Sequence, residues 1–215
     1  MKIAKKWFVA TALLLPLLFV VRVKGDEGEA TFRWDILHFV SFTTPEFTSG
    51  GQASALSNDC VTVSVVTTCA KITVTGSGTF VVGENDNVTG GGTWQAFDSG
   101  GNSTGTGTYR VTRLVRFVQA PGSPGAIDDI APTTGPIHAG LVELAIKYFD
   151  SLGNPISGPN GRGFLFVSCH LNGTPNSVFE GITATMGFTD FWNRLAPTPG
   201  VDGNRTSFHL LSTED

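Results

Sequence analysis

Apolar and polar residues alternate along most of this chain with a period of two, the pattern of strands with one dry and one wet face. From Ala30 to Phe42, Phe32, Trp34, Ile36, His38, Val40 and Phe42 share one face, and Arg33, Asp35, Leu37, Phe39 and Ser41 the other. Val61–Val66 and Lys71–Val82 follow as strands, the second with Ile72, Val74, Gly76, Gly78, Phe80 and Val82 on its apolar side. Leu141–Phe149 fits both a helix and a strand, and the alternation of Val142, Leu144, Ile146 and Tyr148 favours the strand. Gly163–Leu171 aligns Leu165, Val167, Cys169 and Leu171 as a return strand. Val178–Trp192 aligns Val178, Ile182, Ala184, Met186, Phe188 and Trp192, and Gly181 and Gly187 argue against a helix there. Thr206–Leu211 is a closing strand.

Between Gly76 and Tyr109 the chain repeats Gly-x-Gly-Thr-aromatic three times, ending at Phe80, Trp94 and Tyr109. The intervening GENDNVTG and DSGGNSTG are turn-forming. Short, evenly spaced strands separated by turns predict an antiparallel meander. Glycines on an apolar strand face imply sharp coiling or close approach of another side chain. The expected fold is all-β: a single small antiparallel β-barrel with meander topology and little helix. Gln119–Gly140, rich in Pro and Gly, reads as a long loop, a lid or a binding loop.

Residues 1–25 read as a signal peptide, leaving 26–215 as a secreted β-barrel domain. Lys2, Lys5 and Lys6 precede an uncharged apolar run from Trp7 to Val21, shorter than the ~20 residues that span a bilayer. An uncleaved anchor is the competing reading, and no second segment approaches spanning length. The expected location is secreted or periplasmic, with no membrane span after cleavage. Removing this segment leaves nine basic and eighteen acidic residues, a formal charge of −9. Such a balance disfavours nucleic acid as a partner. In an oxidising compartment three cysteines make one disulfide and one free thiol. Cys60 and Cys69 are the expected pair, but VTVSVVTT between them holds no turn residue and reads as a strand or wide loop, not a tight hairpin.

Polar residues on apolar faces mark candidate chemistry. His38 aligns with Trp34 and Ile36, Arg113 with Tyr109 and Val111, and Glu180 and Asp190 with Ile182, Met186 and Trp192. With Trp94 and Trp192 they form a candidate ligand-lining set, in which Arg113 grips an anion and His38 moves protons. A purely structural reading is an internal ion pair with a satisfied histidine, and a β-bulge would turn the set to solvent. Asp128, Asp129 and His138, or Glu84 and Asp86, are poor metal signals, so neither metal nor cofactor is expected. Cys169 and His170, adjacent in a strand, face opposite ways and cannot act as nucleophile and base.

RWDI from Arg33, GSGTF, GGGTW, VSCH, FEGITAT and DFWNR together resemble a group of uncharacterised secreted bacterial proteins. The layout is similar to calycin-type barrels, in particular the allene-oxide-cyclase-like barrel shared with dirigent-type proteins. The resemblance, over most of Arg33–His209, implies a fold and no activity. Three functions follow: a non-catalytic barrel binding a small apolar or amphipathic ligand or a partner; an isomerase or cyclase using Glu180 and His38; or a structural envelope protein.

Overall fold

The computed structural model describes residues 29–41, 43, 46–123, 127–128 and 135–213, so the expected signal peptide, Phe42 and Asp129 lie outside the described residues. Among the described residues fourteen strands form one connected sheet: β1 (Ala30–Phe39), β2 (Glu46–Ser49), β3 (Ala53–Val63), β4 (Val66–Val74), β5 (Ser77–Val81), β6 (Gly91–Phe97) and β7 (Ser103–Ala120). β8 (Ile127–Asp128), β9 (Ile137–Asp150), β10 (Arg162–Cys169), β11 (Gly181–Met186), β12 (Thr189–Phe191), β13 (Asn193–Arg194) and β14 (Gly200–Thr213) complete it. A single 3-10 turn at Pro159–Gly161 is the only helical element among the described residues. The fold is all-β.

Six strands close a ring in the order β9, β14, β1, β5, β6, β7 and back to β9, an antiparallel barrel. β10, β11 and β12 extend it from β9, and β4, β3 and β13 from β6. β4 and β5 follow one bent path, because β6 pairs with β4 through Lys71–Val74 and with β5 through Ser77. β5–β6–β7 and β9–β10–β11–β12 run as consecutive neighbours, as in a meander, whereas β1 lies against β5 and β14 returns to lie between β1 and β9.

Gly76, Gly78 and Gly105 of the repeat stand against aromatic side chains, and Gly92 and Gly107 against the backbone carbonyls of Thr75 and Phe149. A Cβ on Gly78 would stand 2.8 Å from the Trp34 indole nitrogen, and one on Gly105 would stand 2.9 Å from the Trp94 ring. At Gly76 a Cβ would collide with the Tyr109 hydroxyl. Close approach, one of the two expected reasons, therefore applies. The seated rings fill the middle of the barrel. Tyr109 donates its hydroxyl to the Thr75 carbonyl (2.7 Å), Tyr148 to that of Thr185 (2.9 Å) and the Trp94 N–H to that of Phe149 (3.0 Å). Burial pushes both phenols above their ordinary range, so they remain protonated donors.

Three segments depart from simple alternation. β7 carries register shifts between Val111 and Arg113 and between Leu114 and Arg116. Each extra residue reverses the inward face, so Tyr109, Leu114 and Phe117 join the core and Arg113 turns out. Val178–Trp192 is not one strand: β11 turns at Gly187 and Phe188 and returns as β12. The turn, with Gly187 at φ +62°, shifts the inward face by one, burying Phe191 and exposing Phe188, Asp190 and Trp192. On β1, Asp35, Leu37 and Phe39 are as buried as the inner face. Arg33 holds Asp35 through two 2.8 Å bonds, and the Arg205 guanidinium covers the rings of Phe39 and Phe47.

Cys60 and Cys69 are joined and stand directly opposite in β3 and β4. VTVSVVTT is a tight hairpin, contrary to the expected wide loop, with Ser64 at φ +58° in the turn. The cross-strand disulfide compensates for the missing Gly or Asn by closing the loop covalently. The third cysteine, Cys169, is buried and takes no part in the disulfide. The expected long loop is shorter, since β7 and β9 pair as far as Ala120 with Ala139. His138 lies in β9, where its Nδ1 meets Gln119 Nε2 at 2.9 Å.

Candidate functional site

The two ends of the ring differ in the size of the side chains that fill them. At one end Phe32, Phe80, Phe117 and Phe208 form an aromatic cluster, with centroids 4.8 Å apart for Phe32–Phe117, 4.9 Å for Phe80–Phe117 and 5.3 Å for Phe117–Phe208. Tilted and edge-on rings at these separations are favourable contacts. At the opposite end Ala70, Ala96 and Phe191 come from β4, β6 and β12. Two of the three are alanines, and they floor a cup of about 260 Å³.

The rim of this cup is polar. Asp59, Asp98, Thr104 and Asn160 line it. Asp98 already serves its own turn, accepting the Asn102 backbone N–H at 2.8 Å, and these bonds hold its carboxyl below the usual range. Asp59 has no side-chain hydrogen bond or ion pair among the described residues, and its exposed carboxylate is available to a ligand. The disulfide sets this wall: Asp59 precedes Cys60 and Ala70 follows Cys69. Gly187 fixes another part of the rim, since a Cβ there would overlap the Asn160 side chain.

The ligand-lining set expected from sequence does not assemble inside the barrel. Trp94 is in the core. His38 is half-buried on β1, with Nδ1 3.4 Å from Thr48 Oγ1. Arg113 and Asp190 are exposed, turned outward by the β7 bulge and the β11–β12 turn. Trp192, 44% exposed, packs its ring against Phe166 on the outer surface at 5.1 Å. Trp192 and Glu180 do share one place, a depression of about 460 Å³ bordered by Asn193, Arg194 and Leu195.

Glu180 has a structural position of its own. β14 pairs with β9 only through Phe208–His138 and His209–Ile137, and beyond these the strands part. The Glu180 carboxylate bridges the gap, accepting the backbone N–H of His170 after β10 and of Thr206 on β14, both at 2.8 Å. Arg205 approaches it at 3.4 Å. Burial raises its pKa from 4.5 to about 7, more than Arg205 and the two N–H donors lower it. A carboxylate thus stands in for the missing rung of the sheet.

Sequence reasoning missed Asp59, Asn160, Ala96 and Phe191. For Phe191 a signal existed: Gly187-Phe188 is a turn candidate, and a turn there puts Phe191 in register with Ala184. Among the described residues no group of three or more His, Cys, Asp or Glu could hold a metal ion, and no helix is long and apolar enough to cross a membrane. The disulfide fits an oxidising compartment. Comparison with known proteins returned no match to a family model, a curated protein or a solved structure.

Proposed function

We propose that this chain is an exported, non-catalytic β-barrel that binds a small amphipathic molecule in the cup at the open end of the ring. One observation carries the reading: an apolar floor of Ala70, Ala96 and Phe191 meets a rim that includes the unpaired carboxylate of Asp59. Such a site takes an apolar body downward and a cationic or hydrogen-bonding head at the rim. Export rests on the basic start and apolar run of residues 1–25, supported by the cross-strand disulfide. Kinship with the allene-oxide-cyclase-like and calycin barrels belongs to the same proposal, on the strength of the motifs from RWDI to DFWNR. The cyclase alternative needs His38 and Glu180 on one substrate, and neither lines the cup.

Titration of amphipathic amines, alcohols, fatty acids and isoprenoids against tryptophan fluorescence tests the proposal, with Trp94 two residues from Ala96 as reporter. Saturable binding of an amphipath, weakened several-fold by Asp59→Asn for amines and unchanged for alcohols, is the expected result. A cup indifferent to the whole panel overturns it and leaves the structural envelope role.

A further inference from the structure

The outer face of β7, β9 and β10 gathers a large share of the chain's positive charge. Of nine basic residues beyond residue 25, Arg110, Arg113, Lys147 and Arg162 lie on three neighbouring strands. Arg110 pairs with Lys147 across β7–β9, and Lys147 with Arg162 across β9–β10, so three cations stand in one row perpendicular to the strands. Neighbouring strands are ~4.8 Å apart, which sets the step of the row. Like charges directly opposite destabilise a sheet. Carboxylates do not relieve them. Glu143, four residues from Lys147 along β9, bonds Arg116 at 3.1 Å, and Asp150 Oδ1 accepts the backbone N–H groups of Leu152 and Asn154. Asp190, opposite Thr185 on β12, stands at the far margin.

Arg113, Lys147 and Arg162 border an open groove of about 590 Å³ whose wall includes Phe164 and Thr185. Phe164 is 39% exposed, and the Arg110 guanidinium lies over the Phe149 ring at 5.0 Å. Cations in a row, a flat aromatic plate and a hydroxyl on a shallow surface suit an extended ligand with charges at intervals, rather than one compact ion. Guanidinium forks match carboxylate and sulfate oxygens, and the aromatic plate takes the C–H face of a sugar ring.

We propose that this face is a binding site for an acidic glycan, a polysaccharide segment carrying uronate or sulfate groups. It is separate from the cup and does not depend on it. With a net charge of −9 beyond residue 25 the surface as a whole disfavours a polyanion, so recognition centres on this row and weakens as salt screens it.

The test measures binding of a uronate oligosaccharide, a sulfated dextran oligosaccharide, neutral dextran and anionic phospholipid vesicles at low salt. The wild-type chain is expected to bind one or both acidic glycans and not dextran. Lys147→Ala with Arg162→Ala should weaken that binding at least tenfold, and Phe164→Ala several-fold, while Lys71→Ala on the β3–β4 ribbon leaves it unchanged. The double variant should also unfold at no lower temperature than wild type without ligand, since it relieves repulsion. The proposal is overturned by absence of acidic-glycan binding, by equal loss in Lys71→Ala, or by binding to vesicles without binding to glycans.

Discussion

The two ends of the barrel share β7 and are filled in opposite ways, the closed end also from β1, β5 and β14 and the cup also from β4, β6 and β12. β7 gives Phe117 to the closed end and Thr104 to the rim of the cup. The closed end is a cluster of four phenylalanines, three of them 2% exposed or less. The open end sets two alanines, Ala70 and Ala96, beside Phe97, Met186 and Phe191. A six-stranded ring encloses only enough room for side chains, so residue volume alone decides whether an end is plugged or hollow. Backbone topology supplies the frame; a few positions choose between core and site.

Truncating a ring at each end tests this most severely. Phe208→Ala at the closed end should cost roughly 3–5 kcal/mol, because close-packed neighbours cannot collapse into the space. Phe191→Ala at the cup should cost clearly less, since the space it vacates joins a cavity already open to water. Equal losses in chemical denaturation would mean that the two ends are packed alike. The seam between them is tested by pH. The folded state holds the Glu180 proton up to about pH 7, the unfolded chain only to 4.5, so native protein binds more protons within that window. Stability should therefore fall as pH rises from 4.5 to 7, by about 3 kcal/mol at most. Glu180→Gln should remove that slope, although its amide NH2 cannot accept, so it keeps only one of the two bonds to the His170 and Thr206 N–H groups. A slope that persists in the variant would place the titration elsewhere.

Opening the ribbon beside the cup is a smaller perturbation. Replacing Cys60 and Cys69 by serine should cost about 2–3 kcal/mol through the freed loop. It should also loosen Asp59 and Ala70, so ligand affinity falls further than stability alone explains. Denaturation and titration on the same variant separate the two effects. An unchanged affinity would show that the cup wall is held by the sheet alone.

The barrel was legible because strand alternation and turn spacing are local properties. β9 and β10 follow the expected register, with Leu144, Ile146, Leu165 and Val167 all in the core. The repeat of glycines was legible too, and the rings of Trp34, Trp94 and Tyr109 supply its reason. The candidate site was mostly illegible because each residue's facing depends on every register shift before it. The first bulge in β7, between Val111 and Arg113, turned Arg113 outward, and a two-residue turn exchanged Trp192 for Phe191. Neither bulge carries a glycine or proline within β7 to announce it. Glu180 was legible as a polar residue among apolar ones, but its bonds to His170 and Thr206 join segments far apart in sequence. The hairpin of VTVSVVTT was missed because a disulfide, not turn chemistry, holds it.

The substitution with the smallest effect on stability should probe the hollow end most sharply. Ala96 is 7% exposed and faces the cup. Leucine in a packed core costs about 1–3 kcal/mol by overpacking, whereas a cup of this size accepts three more carbons. Ala96→Leu should then leave the unfolding free energy within about 1 kcal/mol of wild type. The leucine occupies the floor on which a ligand's apolar body rests, so amphipath binding should be lost while acidic-glycan binding at the β7–β9–β10 face is untouched. Unfolding by the leucine would mean that the space is too shallow to be a site. Undiminished amphipath binding in a stable Ala96→Leu protein would move the ligand away from the cup, and with it the distinction between the two ends.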